Sequence, residues 1–259
     1  MNPSEAALLA KLPGWAFMFA LVLCRAGAMC MLVPGFGEAE VPAMIRAGFA
    51  MMLTVLLLPV LLPILPAPPA NVWLAAGMVG AELLTGLFLG WLARLLVLAL
   101  PLAGQIIAVV TGHASVLQPD GVLGAQGAAL GRLLGLAAPV LVLTTGLHAL
   151  PLAALAGSYR VIPAGTLLPA ADTAHTVVLS VAELFAVAVR LAAPFVLAGI
   201  VWHVTLAAVS RLVPHLQVFF LAAPAQLLGG LALLGLLGAS LLAVWHEQAG
   251  AAFATLPGL

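Results

Sequence analysis

The residues able to do chemistry are few, because the chain around them is apolar. From residue 104 to 124 the run Gly-Gln-Ile-Ile-Ala-Val-Val-Thr-Gly-His-Ala-Ser-Val-Leu-Gln-Pro-Asp-Gly-Val-Leu-Gly gathers Gln105, Thr111, His113, Ser115, Gln118 and Asp120, together with Gly112, Pro119, Gly121 and Gly124. Glycine supplies backbone freedom and proline removes a donor, so this stretch breaks helix. Non-helical backbone between hydrocarbon-length arms persists only where protein or trapped water satisfies its N–H and C=O groups. The expectation is an inward-facing, re-entrant-type loop whose chemistry is gating, with Gly112, Gly121 and Gly124 supplying hinge freedom.

A second set is ionic. Arg25, Arg46, Glu82, Arg94, Arg132, Glu183, Arg190 and Arg211 lie in or beside apolar runs. A charge at a bilayer centre costs about 2.5–3.5 kcal/mol or more, so it faces a partner or a cavity. Glu183 and Arg190 share a helix face but stand about 10 Å apart along the axis, beyond direct pairing. Glu82, Arg94 and Arg25 pose the same problem, and their complements must come from other helices or other subunits. Two functions fit. One is a proton or ion relay with Glu82 or Glu183 as its carboxylate; the other is a set of ion pairs fixing the register of packed helices.

Other chemistries lack their residues. His113, His148, His203, His215 and His246 show no metal-ligand spacing. Ser158 has no nucleophile-elbow context, and there is no phosphate-cradling glycine loop and no suggested Cys–His pair. Cys24 and Cys30, six apart in one predicted helix, point to different faces and read as buried apolar thiols, not a disulfide. The expectation is therefore no catalytic site, no metal and no cofactor.

Composition places the elements that carry these residues. The 259-residue chain is 65% hydrophobic and 6% charged, with eight basic against eight acidic residues. Its mean hydropathy is +1.27. Soluble domains are about 45–50% apolar and about 25% charged, so this is a membrane or membrane-assembly protein, with no basic footprint for nucleic acid. The first apolar segment shows no convincing cleavage site before Pro34 and is expected to be retained.

About 20 apolar residues span a hydrocarbon core, and by that measure six segments are expected in one domain, residues 1–259. They run from about 12 to 33, 43 to 65, 72 to 101, 125 to 157, 173 to 210 and 216 to 246. Pro34-Gly35 closes the first, Pro59 and Pro63 kink the second, and nothing strongly interrupts the third before Pro101. No run alternates with the period of a strand able to close a barrel. Gly86 and Gly90 are four apart, as are Gly127, Gly131 and Gly135. Such spacing lets helices approach closely, although glycine is also simply frequent here, with 26 in the chain.

Taken in order, several landmarks resemble the FliR family of flagellar export-apparatus subunits and its virulence type III secretion relatives. They begin with Arg25-Ala26-Gly27, Pro34-Gly35-Phe36-Gly37, Val41-Pro42 and Arg46. Glu82-Leu83-Leu84-Thr85-Gly86-Leu87-Phe88-Leu89-Gly90 and Ala103-Gly104-Gln105-Ile106-Ile107 follow. Gly112-His113-Ala114-Ser115 with Pro119-Asp120 resembles the family's Gly-Leu-Ser and Asp-Pro region, the last pair inverted or shifted. Gly146-Leu147-His148, Ser158-Tyr159 and Pro163-Ala164-Gly165 come next. Arg211-Leu212-Val213-Pro214-His215-Leu216-Gln217-Val218-Phe219 is similar to the family's Arg-x-x-Pro-Gln-x-Asn-x-Phe, from which His215 and Gln217 depart.

The resemblance implies an all-α, membrane-protein-like fold of about six long kinked helices packed in a multi-subunit helical export gate. It implies FliP-like and FliQ-like partners, a FlhB-like subunit, passage of unfolded flagellar subunits, and a place in the inner membrane at the flagellar basal body. It also implies that Thr111, Gly112, His113, Ser115, Gln118, Pro119, Asp120, Gly121 and Gly124 belong to a channel plug. Arg211, Pro214, Gln217 and Phe219 fall in an assembly turn. On this reading the chain's buried ions and broken helices are completed by other polypeptides. The alternatives are a stand-alone secondary transporter with a Glu/Arg relay and the homologous subunit of a virulence system.

Overall fold

The computed structural model describes residues 3–115, 117–120, 124–212 and 218–259, with side chains from residue 11 onward except 115–127 and 213–221. Eight α-helices are described: α1 Pro3–Cys30, α2 Ala43–Leu61, α3 Val72–Val97, α4 Ala99–Val110, α5 Ala129–Thr144, α6 Ala149–Val161, α7 Ala170–Leu212 and α8 Val218–Phe253. Between α4 and α5 lie two short strands, β1 Leu117–Asp120 and β2 Gly124–Ala128. The fold is all-α in class. Five segments are long and apolar enough to cross a membrane among the described residues, or six if α5 and α6 act as one.

Helix ends follow local chemistry, with some shifts from expectation. α2 yields to a 3-10 turn, Leu62–Ile64, around Pro63, and Leu65 is extended with ψ 140°. A residue before proline avoids the helical region, and Pro66 follows. The third segment does not run to Pro101. It breaks at Leu98, and Pro101 falls in the first turn of α4, where its missing N–H leaves no helical bond unmade. Helix therefore continues through Gly104 and Gln105, and the non-helical stretch begins only at Thr111. The fourth segment is also two helices, α5 and α6, separated where Gly146 takes φ 80°. By contrast α7 continues unbroken for 43 residues through Pro194.

The polar loop contains a strand pair that alternation did not reveal. β1 and β2 pair antiparallel, Leu117 opposite Ala128 and Gln118 opposite Gly127, with the register shifting before Asp120 pairs Gly124. The shift brackets Pro119, which has no N–H to give the ladder.

Packing groups the chain into two compact units. The first comprises Met1–Arg94, Thr145–Leu179 and Ala252–Leu259; the second comprises Leu95–Thr144 and Ser180–Ala251. In the first, Val22, Leu61, Leu65 and Tyr159 form a buried cluster flanked by Met18, Leu57, Leu58 and Ala164. In the second, α4 and α5 touch at glycines: a Cβ on Gly104 would lie 2.8 Å from the Gly131 Cα. Large apolar side chains remain exposed on both units, among them Met44 and Trp73 in the first and Leu228 and Leu236 in the second. Exposure on that scale marks surfaces for lipid or protein.

Candidate functional site: a buried ion pair and a hinged polar loop

In the first unit, the charges of α1 and α3 meet. Arg25 Nε donates to Glu82 Oε2 at 2.7 Å and Nη2 to Oε1 at 3.0 Å, with both side chains fully buried. Nη1 donates to Ser158 Oγ and to the Ile162 carbonyl, both at 3.1 Å, and Nη2 shares that carbonyl at 3.1 Å. The Gly165 N–H donates to Glu82 Oε1 at 2.6 Å. The guanidinium carbon lies 4.0 Å from the centre of the Tyr159 ring. Both ionised groups have thus gained charge-assisted partners, which is what burial of two ions requires.

Glycine permits the approach. A Cβ on Gly86, one turn beyond Glu82, would run into the Arg25 carbonyl, and one on Gly90 would lie 2.8 Å from the Met29 carbonyl. Arg94, one turn beyond Gly90, donates to Glu38 Oε2 at 3.1 Å and to the Gly37 carbonyl at 3.4 Å.

The expectation that these ions find their complements on other polypeptides is corrected for Arg25, Glu82 and Arg94, which pair within the chain. Sequence spacing could not show it, since the partners are 56 and 57 residues apart. The arrangement also leaves Glu82 unsuited to a relay, because both its oxygens already accept from donors within the chain.

The remaining candidates are distributed elsewhere. Arg46 is half-buried in the first turn of α2, its Nε without a partner among the described residues. Arg132 is half-buried on α5. Glu183 and Arg190 are exposed on α7 and, among the described residues, meet no opposite charge. Arg211 is exposed in the last turn of α7. Gly121, Pro214 and Gln217 lie outside the described residues, and Phe219 falls in the first turn of α8. Cys24 and Cys30 are free thiols.

In the second unit, the loop is anchored at both roots. At its entry, Thr111 Oγ1 donates to the Ile107 carbonyl at 2.7 Å and lies 2.9 Å from His113 Nδ1. Gly112 takes φ 82°, a conformation that glycine adopts without strain. His113 opens a short 3-10 turn, His113–Ser115, and Gln118, Pro119 and Asp120 lie in β1 with Gly124 starting β2. At its exit, Gln105 Oε1 accepts from the Ala128 N–H at 2.9 Å, satisfying a donor that the start of α5 leaves without a helical acceptor. Gly131 makes room for the Gln105 amide, since a Cβ there would strike it.

Reading the sequence missed Glu38, Ser158, the Gly165 N–H and Gln226, whose amide reaches the entry root. Gln226 carried a signal: it is an amide in the otherwise apolar stretch Phe-Phe-Leu-Ala-Ala-Pro-Ala-Gln-Leu-Leu, and a polar group in such surroundings has a partner. Among the described residues no three of His, Cys, Asp or Glu come together as a metal site.

Comparison with known proteins places this architecture. The chain matches the family described as Bacterial export proteins, family 1, over residues 16–252. The flagellar biosynthetic protein FliR of Caulobacter vibrioides is 33% identical over 232 residues, covering 90% of this chain and 92% of its own length. FliR of Bacillus subtilis is 30% identical over 216 residues, 81% of each chain. FliR of Escherichia coli is 26% identical over 233 residues, 86% of this chain and 85% of its own. A match that takes in both the ion pair and the polar loop shows that the chain belongs to the bacterial export proteins of family 1, the FliR family.

Proposed function

We propose that the chain is a non-enzymatic core component of the flagellar type III protein export gate in the bacterial inner membrane, at the basal body. It forms part of the channel for unfolded flagellar subunits. FliP-like and FliQ-like subunits, with a FlhB-like neighbour, cover its exposed apolar faces, and residues 111–124 plug the passage until substrate arrives.

The observation that carries the plug is the way the loop is mounted. A polar excursion leaves a helix at a left-handed glycine and returns to a second helix packed against the first. Such a loop can move without unwinding the helices that hold it. The names of the relatives support the flagellar assignment. Glu183 and Arg190, exposed on a long apolar helix, favour neighbouring subunits over lipid. Glu82, saturated by Arg25 and Gly165, speaks against a stand-alone relay.

Replacing residues 113–127 with a short glycine-serine linker in the assembled apparatus tests the plug. Ions should then leak across the membrane while the partner subunits still copurify. A sealed membrane around an intact assembly would remove the plug role, and unaided solute transport by the purified chain in liposomes would replace the export reading altogether.

A further inference from the structure

The entry root of the loop is held by a side chain far from it in sequence. α4 ends at Val110, and the last carbonyls of a helix have no intrahelical donor. Gln226 of α8 supplies one, its Nε2 donating to the Val110 carbonyl at 3.2 Å. The same amide backs the hinge: a Cβ on Gly112 would lie 3.3 Å from Gln226 Nε2 and 3.4 Å from its Cδ. One turn along α8, a Cβ on Gly230 would lie 2.6 Å from Thr111 Cβ and 3.3 Å from His113 Cε1, so only glycine leaves room for the root.

Proton counting orders the root further. Thr111 Oγ1 gives its one hydrogen to the Ile107 carbonyl, so the contact with His113 requires Nδ1–H to donate to Thr111. Four groups thus close on two residues: the Ile107 carbonyl, the His113 ring, the Gln226 amide and the backbone of Gly230.

Beside this clamp lies a cavity of about 250 Å³, lined by Val110, Thr111, Phe195, Trp202, Gln226 and Gly229 among others. Close-packed interiors resist displacement because every shift forces a neighbour aside. A void next to the hinge lifts that resistance on one side, and Thr111 and Gly112 can move there once the Val110 carbonyl is released.

We propose that Gln226 is a latch: a positioning residue that holds the root of the loop closed, with opening beginning when the Val110 carbonyl lets go of its amide. The proposal rests on the plug reading above for its effect on passage, but not for its effect on the root itself. Disengaging the latch leaves residues 107–110 helical and frees Thr111 and Gly112 to turn about the glycine.

Amide hydrogen exchange on the assembled export complex tests it, with Gln226→Leu and Gln226→Glu beside the unaltered chain and ion leak measured on the same preparations. Leucine keeps the size and removes the donor; glutamate keeps the shape and sets an oxygen against the carbonyl. Exchange at the Thr111 and Gly112 amides should rise about five-fold with leucine, the weight of one hydrogen bond, and further with glutamate. Leak should rise in the same order. Unchanged exchange at these two amides overturns the latch, as does a rise spread evenly along α4 and α8. Faster exchange at the root without leak keeps the latch and removes the plug. Gln226→Leu suits an apolar helix and carries the test alone if Gln226→Glu fails to assemble.

Discussion

Arg25 and Glu82 meet side-on, Nε to Oε2 at 2.7 Å and Nη2 to Oε1 at 3.0 Å, with no solvent at either side chain. This two-point contact ties α1 to α3, while Ser158, Ile162 and Gly165 bring α6 and the turn after it onto the same two groups. The pair works as a keystone: four parts of one unit converge on it, and none can shift without leaving a buried charge short of a partner.

Removing one partner is therefore far worse than removing both. Glu82→Met or Arg25→Met should each lower stability by about 3–5 kcal/mol, because an uncompensated ion stays buried. The double variant Arg25→Met with Glu82→Met should lose clearly less than the sum. Denaturation in detergent micelles measures all three, and strict additivity would refute a coupled pair.

Close approach of α1 and α3 makes a graded prediction. Gly86→Ala drives a methyl into the Arg25 carbonyl and should cost about 1–3 kcal/mol. Gly90→Ala, against the Met29 carbonyl, should also destabilise. Gly27 on α1 has nothing within 4 Å of its Cβ position, so Gly27→Ala should be neutral or stabilise by up to about 1 kcal/mol from helix propensity. Thermal unfolding of the three variants should rank them in that order, and a destabilised Gly27→Ala would contradict it.

Two left-handed glycines separate backbone strain from contact. Gly146, at φ 80° with open space around it, should respond to alanine with the conformational cost alone, about 1–2 kcal/mol. Gly112, at φ 82°, carries the same cost and in addition crowds the Gln226 amide. Gly112→Ala should thus lose more stability than Gly146→Ala. Putting Gly112→Ala in a Gln226→Ala background should bring its loss down to that of Gly146→Ala, and equal losses in both backgrounds would show that the amide does not matter there.

The exposed charges of α7 should behave in the opposite way. Glu183→Leu and Arg190→Leu remove groups that contact no opposite charge among the described residues, so the isolated chain should keep its stability within about 0.5 kcal/mol. Copurification of partner subunits should fall, because those charges need complements on a neighbour. Arg211→Ala, exposed at the end of the same helix, should also reduce partner yield. Normal yields for all three would remove α7 from the assembly surface.

Hydropathy and breakers are local properties, and the sequence by itself determined what depends on them. Apolar length decided the membrane class, Pro63 the tightened turn that follows α2, and the cluster of Gly112, Pro119 and Asp120 the departure from helix between α4 and α5. Local signals were insufficient at the end of the third segment. Pro101 reads as a stop, yet it is accommodated as the opening of α4, and the break falls at Leu98 instead. Only the tertiary structure decided which polar groups pair. Arg25 finds Glu82 57 residues away and Gln226 finds Val110 116 residues away, distances that no periodicity encodes. The reason is physical. An apolar helix face looks the same in sequence whether it meets lipid or another helix, so hydropathy places a charge at membrane depth without naming its partner, and packing alone brings the donor to its acceptor.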